Sequence, residues 1–293
     1  MKKLILASLI ASASMVASAQ VTMSGKVSVW QDNTKLGNNR ANSQMVEPTS
    51  NFAINVSEKL ANGMTARAVV ETSLEGNTLG GNGTQLGDRQ ATVGLAGGMG
   101  SLDLGRNVHS HFLAITNNDS FGTLYGSVAG DVHNLRGLRM TDGAYVTVTP
   151  MKGLSVSADH SNNVNGLDVT TGSISASLGP VGATVAQFVS GDEKSTVVGL
   201  QGKVMNAAVF YSHSVNKGLV DSKGDLIGAR YTMGAITAKA SWGKNDADLK
   251  AWAVGADYAL SKRTDVGVAY RNLDRTGTVT DVAQVGVGLT HRF

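Results

Sequence analysis

Cysteine is absent from the 293 residues, which excludes a disulfide-stapled scaffold and thiolate metal sites. Proline is scarce as well, at three residues against 36 glycines. Collagen-like and linker compositions need a glycine period or abundant proline, and this chain has neither. Aromatic residues make up only 5%, few for the packed interior of a soluble β-sandwich of this length. Beyond the first twenty residues no apolar run approaches the ~20 residues of a membrane-spanning helix. Nor is there a fixed-length repeat of the kind that builds solenoids or propellers.

The amino terminus carries Lys2 and Lys3, an apolar run from Leu4 to Ile10, and small residues ending Ala17-Ser18-Ala19. This is the pattern of a cleaved secretory signal peptide, with cleavage expected between Ala19 and Gln20. The expected organisation is therefore a signal peptide at 1–19 and a single β-domain at 20–293. Taking Lys2 and Lys3 from the 25 basic residues, against 22 acidic ones, lowers the formal charge from +3 to +1. A nucleic-acid or polyanion partner is not implied.

What the chain does have is alternation. In the last nine residues, Val285, Val287, Leu289, His291 and Phe293 share one face, and Gly286, Gly288, Thr290 and Arg292 the other. An amphipathic strand ending on a free Phe suits a closed barrel, whose last strand must pair with its first. Similar segments recur at 21–30, 51–58, 64–74, 89–96, 101–106, 138–149, 154–161, 168–178, 183–190, 196–204, 207–214, 225–233, 236–242, 248–260, 264–273 and 281–293. Tight turns join many of them, among them Leu60-Ala61-Asn62-Gly63 and Gly97-Gly98-Met99-Gly100. Residues 31–48 read as a longer polar loop. The expected fold is all-β, a transmembrane antiparallel β-barrel of sixteen strands, with fourteen still open because several middle segments alternate weakly. Trp30, Trp242, Tyr258, Tyr270 and Phe293 fall at strand ends, where aromatic girdles would lie.

On the polar parity stand Lys26, Arg67, Glu71, Asp159, Arg230, Lys239, Asp257, Asp265 and Arg271. A charge facing lipid near the midplane would cost about 2–4 kcal/mol, so these side chains are expected to face a water-filled interior. Its slight basic excess would favour small hydrophilic solutes and ions, with a mild anion preference limited by salt screening. Residues 107–135 break the alternation and include Phe112, Leu113, Phe121, Leu124 and Tyr125, too apolar for a freely solvated loop. Folding inward would bury them and narrow a pore. If the segment filled the lumen instead, the product would be a non-conducting structural or adhesive barrel.

The stretch Asp88-Arg89-Gln90-Ala91-Thr92-Val93-Gly94-Leu95-Ala96-Gly97-Gly98-Met99-Gly100-Ser101-Leu102-Asp103-Leu104-Gly105-Arg106 resembles a hairpin of the trimeric Gram-negative porins of β-proteobacteria. Val287-Gly288-Leu289-Thr290-His291-Arg292-Phe293 is similar to that family's closing strand, and Asp119-Ser120-Phe121-Gly122 to the tip of its constriction loop. The resemblance implies a sixteen-stranded homotrimeric barrel of the outer membrane, surrounded by outer-membrane lipid and lipopolysaccharide, with an inward-folded third loop and no cofactor. It also implies that Arg89, Arg106 and Arg139 face the loop acids Asp119 and Asp131, and that Phe293 is read by the barrel assembly machinery. Strict alternation puts Arg89 and Arg106 on the apolar parity, so a bulge or a strand-end position must be invoked.

Catalysis and metal binding find little support. His109-Ser110-His111 has no neighbouring carboxylate or cysteine to complete a metal site, and reads as a solvated loop pair. His160 and His213 neighbour serines along their strands, where adjacent side chains point to opposite faces, so no triad forms. Residues 81–84 lack the strand–helix context of a phosphate loop.

Overall fold

Every backbone N–H and C=O in a lipid-spanning sheet needs a partner, and this chain meets that demand by closing one antiparallel sheet on itself. The computed structural model describes residues 19–74, 85–135, 137–164, 167–218, 221–275 and 281–293; residues 1–18 of the expected signal peptide and the segment 81–84 lie outside them. The strands are β1 (Gln20–Leu36), β2 (Asn39–Val46), β3 (Asn51–Lys59), β4 (Thr65–Ser73), β5 (Gln90–Gly97), β6 (Gly100–Val108), β7 (Arg139–Met151), β8 (Leu154–Val164) and β9 (Leu167–Leu178). They continue as β10 (Val181–Ser190), β11 (Glu193–Val204), β12 (Ala207–Lys217), β13 (Ser222–Met233), β14 (Ile236–Asn245), β15 (Leu249–Ala259), β16 (Thr264–Arg275) and β17 (Val282–Arg292).

Among the described residues seventeen segments fill sixteen positions. Both β2 and β3 pair with β1, from Leu36↔Asn39 to Val29↔Val46 and from Lys26↔Asn51 to Gln20↔Ser57. They are one strand position interrupted at residues 47–50. The interruption stays tied to β1, because Glu47 N donates to Ser28 O at 2.8 Å and Ser28 N to Ser50 Oγ at 3.0 Å. The expected loop at 31–48 is thus corrected: β1 runs on to Leu36 and returns as β2. Its hairpin is polar on both faces, with Asn33 Nδ2 on Asn42 Oδ1 at 2.6 Å and Gln31 Nε2 on Ser43 O at 2.9 Å. Hydropathy alternation cannot reveal a strand with no apolar face.

Side chains sort by parity. Val285, Val287 and Leu289 are exposed on the outside, whereas Thr290 on the same strand is buried. Trp242, Tyr258 and Phe293 also lie exposed. Trp30 does not join them: it is buried at 7% exposure on the inner face, a correction that its even parity in β1 explains.

The seam runs from Lys26↔Arg292 to Leu36↔Val282. Below it, Gly25 and Phe293 exchange both backbone hydrogen bonds, at 3.1 and 3.0 Å. The Phe293 ring lies over Gly25, where any Cβ would overlap it, and is 6.5 Å from the Phe52 and His291 rings. Gly25→Leu is expected to displace this ring and lower the yield of heat-resistant folded barrel several-fold, read as the shifted band in unheated gel samples; yield equal to wild type would contradict the packing role.

Candidate functional site

The interior site is built by the chain between β6 and β7. The β6–β7 register shifts between Gly105 and Asn107, a bulge that lets Arg106 leave the apolar parity of its strand. Arg89 stands one residue before β5, so it is a strand-end position. After the bulge, the His109 ring accepts from Phe112 N at 3.2 Å and caps helix α1 (Ser110–Asn117). A second helix, α2 (Ala129–His133), precedes β7. Residues 107–135 are therefore not simply irregular. The helices escape a periodicity search because α1 buries Ser110 and His111 along with Ala114 and Ile115.

The buried face of α1 lies against the inner wall. Ser110 N donates to Asp159 Oδ2 at 2.7 Å, Ser110 Oγ pairs with Thr171 Oγ1 at 3.0 Å, and His111 Nε2 with Ser195 Oγ at 2.9 Å. The expected solvated histidine pair is corrected: His109 and His111 are each 1% exposed, because His111 bonds the Ser195 hydroxyl of the wall and His109 bonds the Gly137 carbonyl at 2.8 Å while capping the helix. Among the described residues no cluster could hold a metal ion.

Beyond α1 the chain turns at residues 118–127. The Asp119 carboxylate does not face the lumen. It accepts from Phe121 N at 3.1 Å, Thr123 N at 2.7 Å and Ser127 Oγ at 2.7 Å, closing the turn that Gly122 makes at φ +65°. Arg230 holds this turn from outside, donating to the Asp119 carbonyl at 3.1 Å and to the Ser120 carbonyl. Phe121 is buried, 5.7 Å from the Lys239 ammonium, which also pairs with Asp257. Asp131, on α2, takes Arg271 at 3.4 Å and Arg275 at 3.2 Å.

One fastening lies across the seam. Trp30 of β1 stacks on Tyr125 at 4.1 Å and 13°. Both rings rest on the inner face of β17, where a Cβ at Gly288 would overlap Trp30 and one at Gly286 would overlap Tyr125. The small face of the closing strand is thus a recess for two aromatic rings. Tyr125 N donates to Glu47 Oε1 at 2.7 Å, and Lys26 Nζ reaches Glu47 Oε2 at 3.0 Å. The Lys26 ammonium and the Tyr125 amide give the buried Glu47 carboxylate the partners that its burial requires. Sequence reasoning missed Glu47, Trp30 and Tyr125 as fasteners; the paired glycines at 286 and 288 were the available signal.

The helices pack on β8 to β11 and on β13 to β15, and Phe121 and Tyr125 on β15 to β17. The wall of β4 to β7 carries four more arginines. Arg67 pairs with Asp103, Arg89 Nε meets Glu71 Oε1 at 2.6 Å, and Arg106 Nε donates to the Asp88 carbonyl at 2.6 Å. Arg139 begins β7 opposite Val108. Among the described residues neither Arg106 nor Arg139 makes an ion pair. The expected pairing of Arg89, Arg106 and Arg139 with Asp119 and Asp131 is not what the structure holds, because both acids are taken up by the segment itself and by Arg271 and Arg275.

A family model described as Gram-negative porin matches residues 6–278. No curated protein matches. Among solved structures, an anion-selective porin from Comamonas acidovorans superposes with a TM-score of 0.81 at 16% identity, covering 94% of this chain and 100% of that one. A mutant of the Rh. blastica porin gives 0.73 at 15%, with the same coverage. The trimer form of OmpT, an outer membrane protein of Vibrio cholerae, gives 0.67 at 10%, covering 94% and 99%.

The α2 attachment responds to pH. His133 is buried, with Nδ1 2.8 Å from Ser214 Oγ and Nε2 2.8 Å from Ser212 Oγ. Burial, then the charge of His213, pushes its pKa down to about 4, with Asp225 opposing. A folded value below the ordinary 6.5 means that the attachment is at full strength above pH 6.5 and is lost progressively as pH falls to 4. Protection of the Val132 and His133 amides, corrected for intrinsic exchange, is expected to fall between pH 7 and pH 4.5, and His133→Gln to remove that dependence.

Proposed function

The chain belongs to the Gram-negative porin family of outer-membrane β-barrel channels, which are not enzymes, and on that premise we propose that its pore carries small hydrophilic solutes and ions with a mild preference for anions. Membership of a family of conducting channels sets aside the plugged, adhesive barrel. The observation that carries the anion preference is the wall described above. Arg67, Arg89, Arg106 and Arg139 stand on or beside β4 to β7 with Glu71, Asp88 and Asp103 as their acids, while the Asp119 carboxylate across from them is buried in its own turn. That leaves a net positive wall without an opposing carboxylate at the tip of the inner segment. A solved structure of the same fold is an anion-selective porin, which supports the same sign.

In this reading residues 107–135 form the constriction loop, with Phe121, Gly122, Asp119 and Asp131 holding its shape. Lys26, Glu71, Arg230, Lys239 and Arg271 fix the loop and wall through ion pairs and carbonyl contacts. Three copies of the chain form the native assembly; one solved relative of the fold is a trimer form. The segment 1–19 is removed on export, outer-membrane lipid and lipopolysaccharide cover the apolar band, and Phe293 is the assembly signal.

Planar bilayers test the reading. The purified protein should insert in steps of three equal conductances, and a salt gradient should give a reversal potential of anion-selective sign. Arg106→Gln with Arg139→Gln should lower the anion-over-cation permeability ratio about twofold or more at low salt. An unchanged ratio would remove these arginines from the selective wall.

A further inference from the structure

Helix α1 presents two unlike faces. Ser110, His111, Ala114 and Ile115 are turned to the wall, so Phe112, Leu113, Thr116 and Asn117 are turned to the lumen. Leu113 is 45% exposed there, and Phe112 is half-buried. Among the described residues no neighbour covers this exposed Leu beside a Phe, and inside a barrel no lipid reaches it. The same helix faces the lumen at the level of the unpaired arginines. Arg139 is the register partner of Val108, Arg106 lies two residues earlier, and α1 starts at Ser110. The open apolar face of α1 and the guanidiniums of Arg106 and Arg139 therefore lie along the same stretch of the lumen.

We infer that this channel favours organic anions that carry an apolar body, such as aromatic or branched aliphatic monocarboxylates, over equally charged anions that are hydrated all round. The inference rests on the anion-conducting reading above and names the solute class within it. A carboxylate replaces part of its water with the planar, bidentate donors of Arg106 or Arg139. Its ring or branched chain then lies on Leu113 and Phe112, where contact removes apolar surface from water on both partners. A polyhydroxylated anion of the same charge gains the first contact and not the second, and it must give up hydration against the apolar edge. Because both surfaces flank a moving solute, neither contact needs to be tight, which keeps passage fast.

The test uses the intact assembly in planar bilayers, with sodium benzoate against sodium gluconate and permeabilities taken from bi-ionic reversal potentials. The benzoate-to-gluconate ratio should exceed the ratio of their bulk mobilities roughly threefold or more. Leu113→Ser should bring it down to the mobility ratio, and Leu113→Met should retain the excess. Leu113 is exposed, so these variants leave the wall contacts of α1 in place. A wild-type ratio equal to the mobility ratio, or an excess that survives Leu113→Ser, overturns the inference. If chloride itself fails to outrun sodium, the anion reading fails first; if chloride does so and benzoate gains nothing, only the solute class fails.

Discussion

Closure of the β1–β17 seam is the constraint on which the rest of the molecule depends. A sheet in lipid cannot leave an edge unpaired, because each unpaired backbone group would cost several kcal/mol with no water to replace the lost bond. The chain meets this by pairing Lys26 to Leu36 with Arg292 to Val282, and by finishing the ladder with Gly25 and Phe293. Once the sheet is closed, parity alone decides what each strand residue does. Odd positions of β17 such as Val285, Val287 and Leu289 face outward and even positions face the lumen, so a single register slip would reverse both.

Inside, the charges are mostly spent on structure. Lys26, Arg67, Arg89, Lys239 and Arg271 all end on acids, and Arg230 ends on carbonyls of the turn at Asp119. Of these, Arg271 and Arg230 hold residues 107–135 directly, and the others brace the wall. Function then falls to the groups whose charge no acid neutralises, Arg106 and Arg139 on the wall, and to the open face of α1. A pore of this kind is selective through what its scaffold does not consume.

The barrel was legible in the sequence because period-2 alternation is imposed on every strand with one face in lipid. Residues such as Val285, Val287 and Leu289 report it directly. The upper β1–β2 hairpin was illegible for the same reason in reverse, since Gln31, Asn33, Asn42 and Ser43 pair with each other and meet no lipid. The inner segment hid its helices because its wall is rich in Ser and Thr, so burial there selects His111 and Ser110 as readily as Ile115. The role of Asp119 could not be read at all: a carboxylate that faces solutes and one that caps its own turn have the same letter. The glycines at 286 and 288 were visible as a small face, yet only the positions of Trp30 and Tyr125 reveal what the space is for.

That space has a consequence for the order of events. Trp30 comes from the first strand and the recess from the last, so the berth for Tyr125 does not exist until the two ends of the chain have met. Tyr125 lacks part of its burial in any sheet that is still open. Helices α1 and α2 rest on β8–β11 and β13–β15 and do not need the seam, but the turn at Tyr125 does. The turn of the inner segment at Tyr125 thus takes its final packing only in a closed ring.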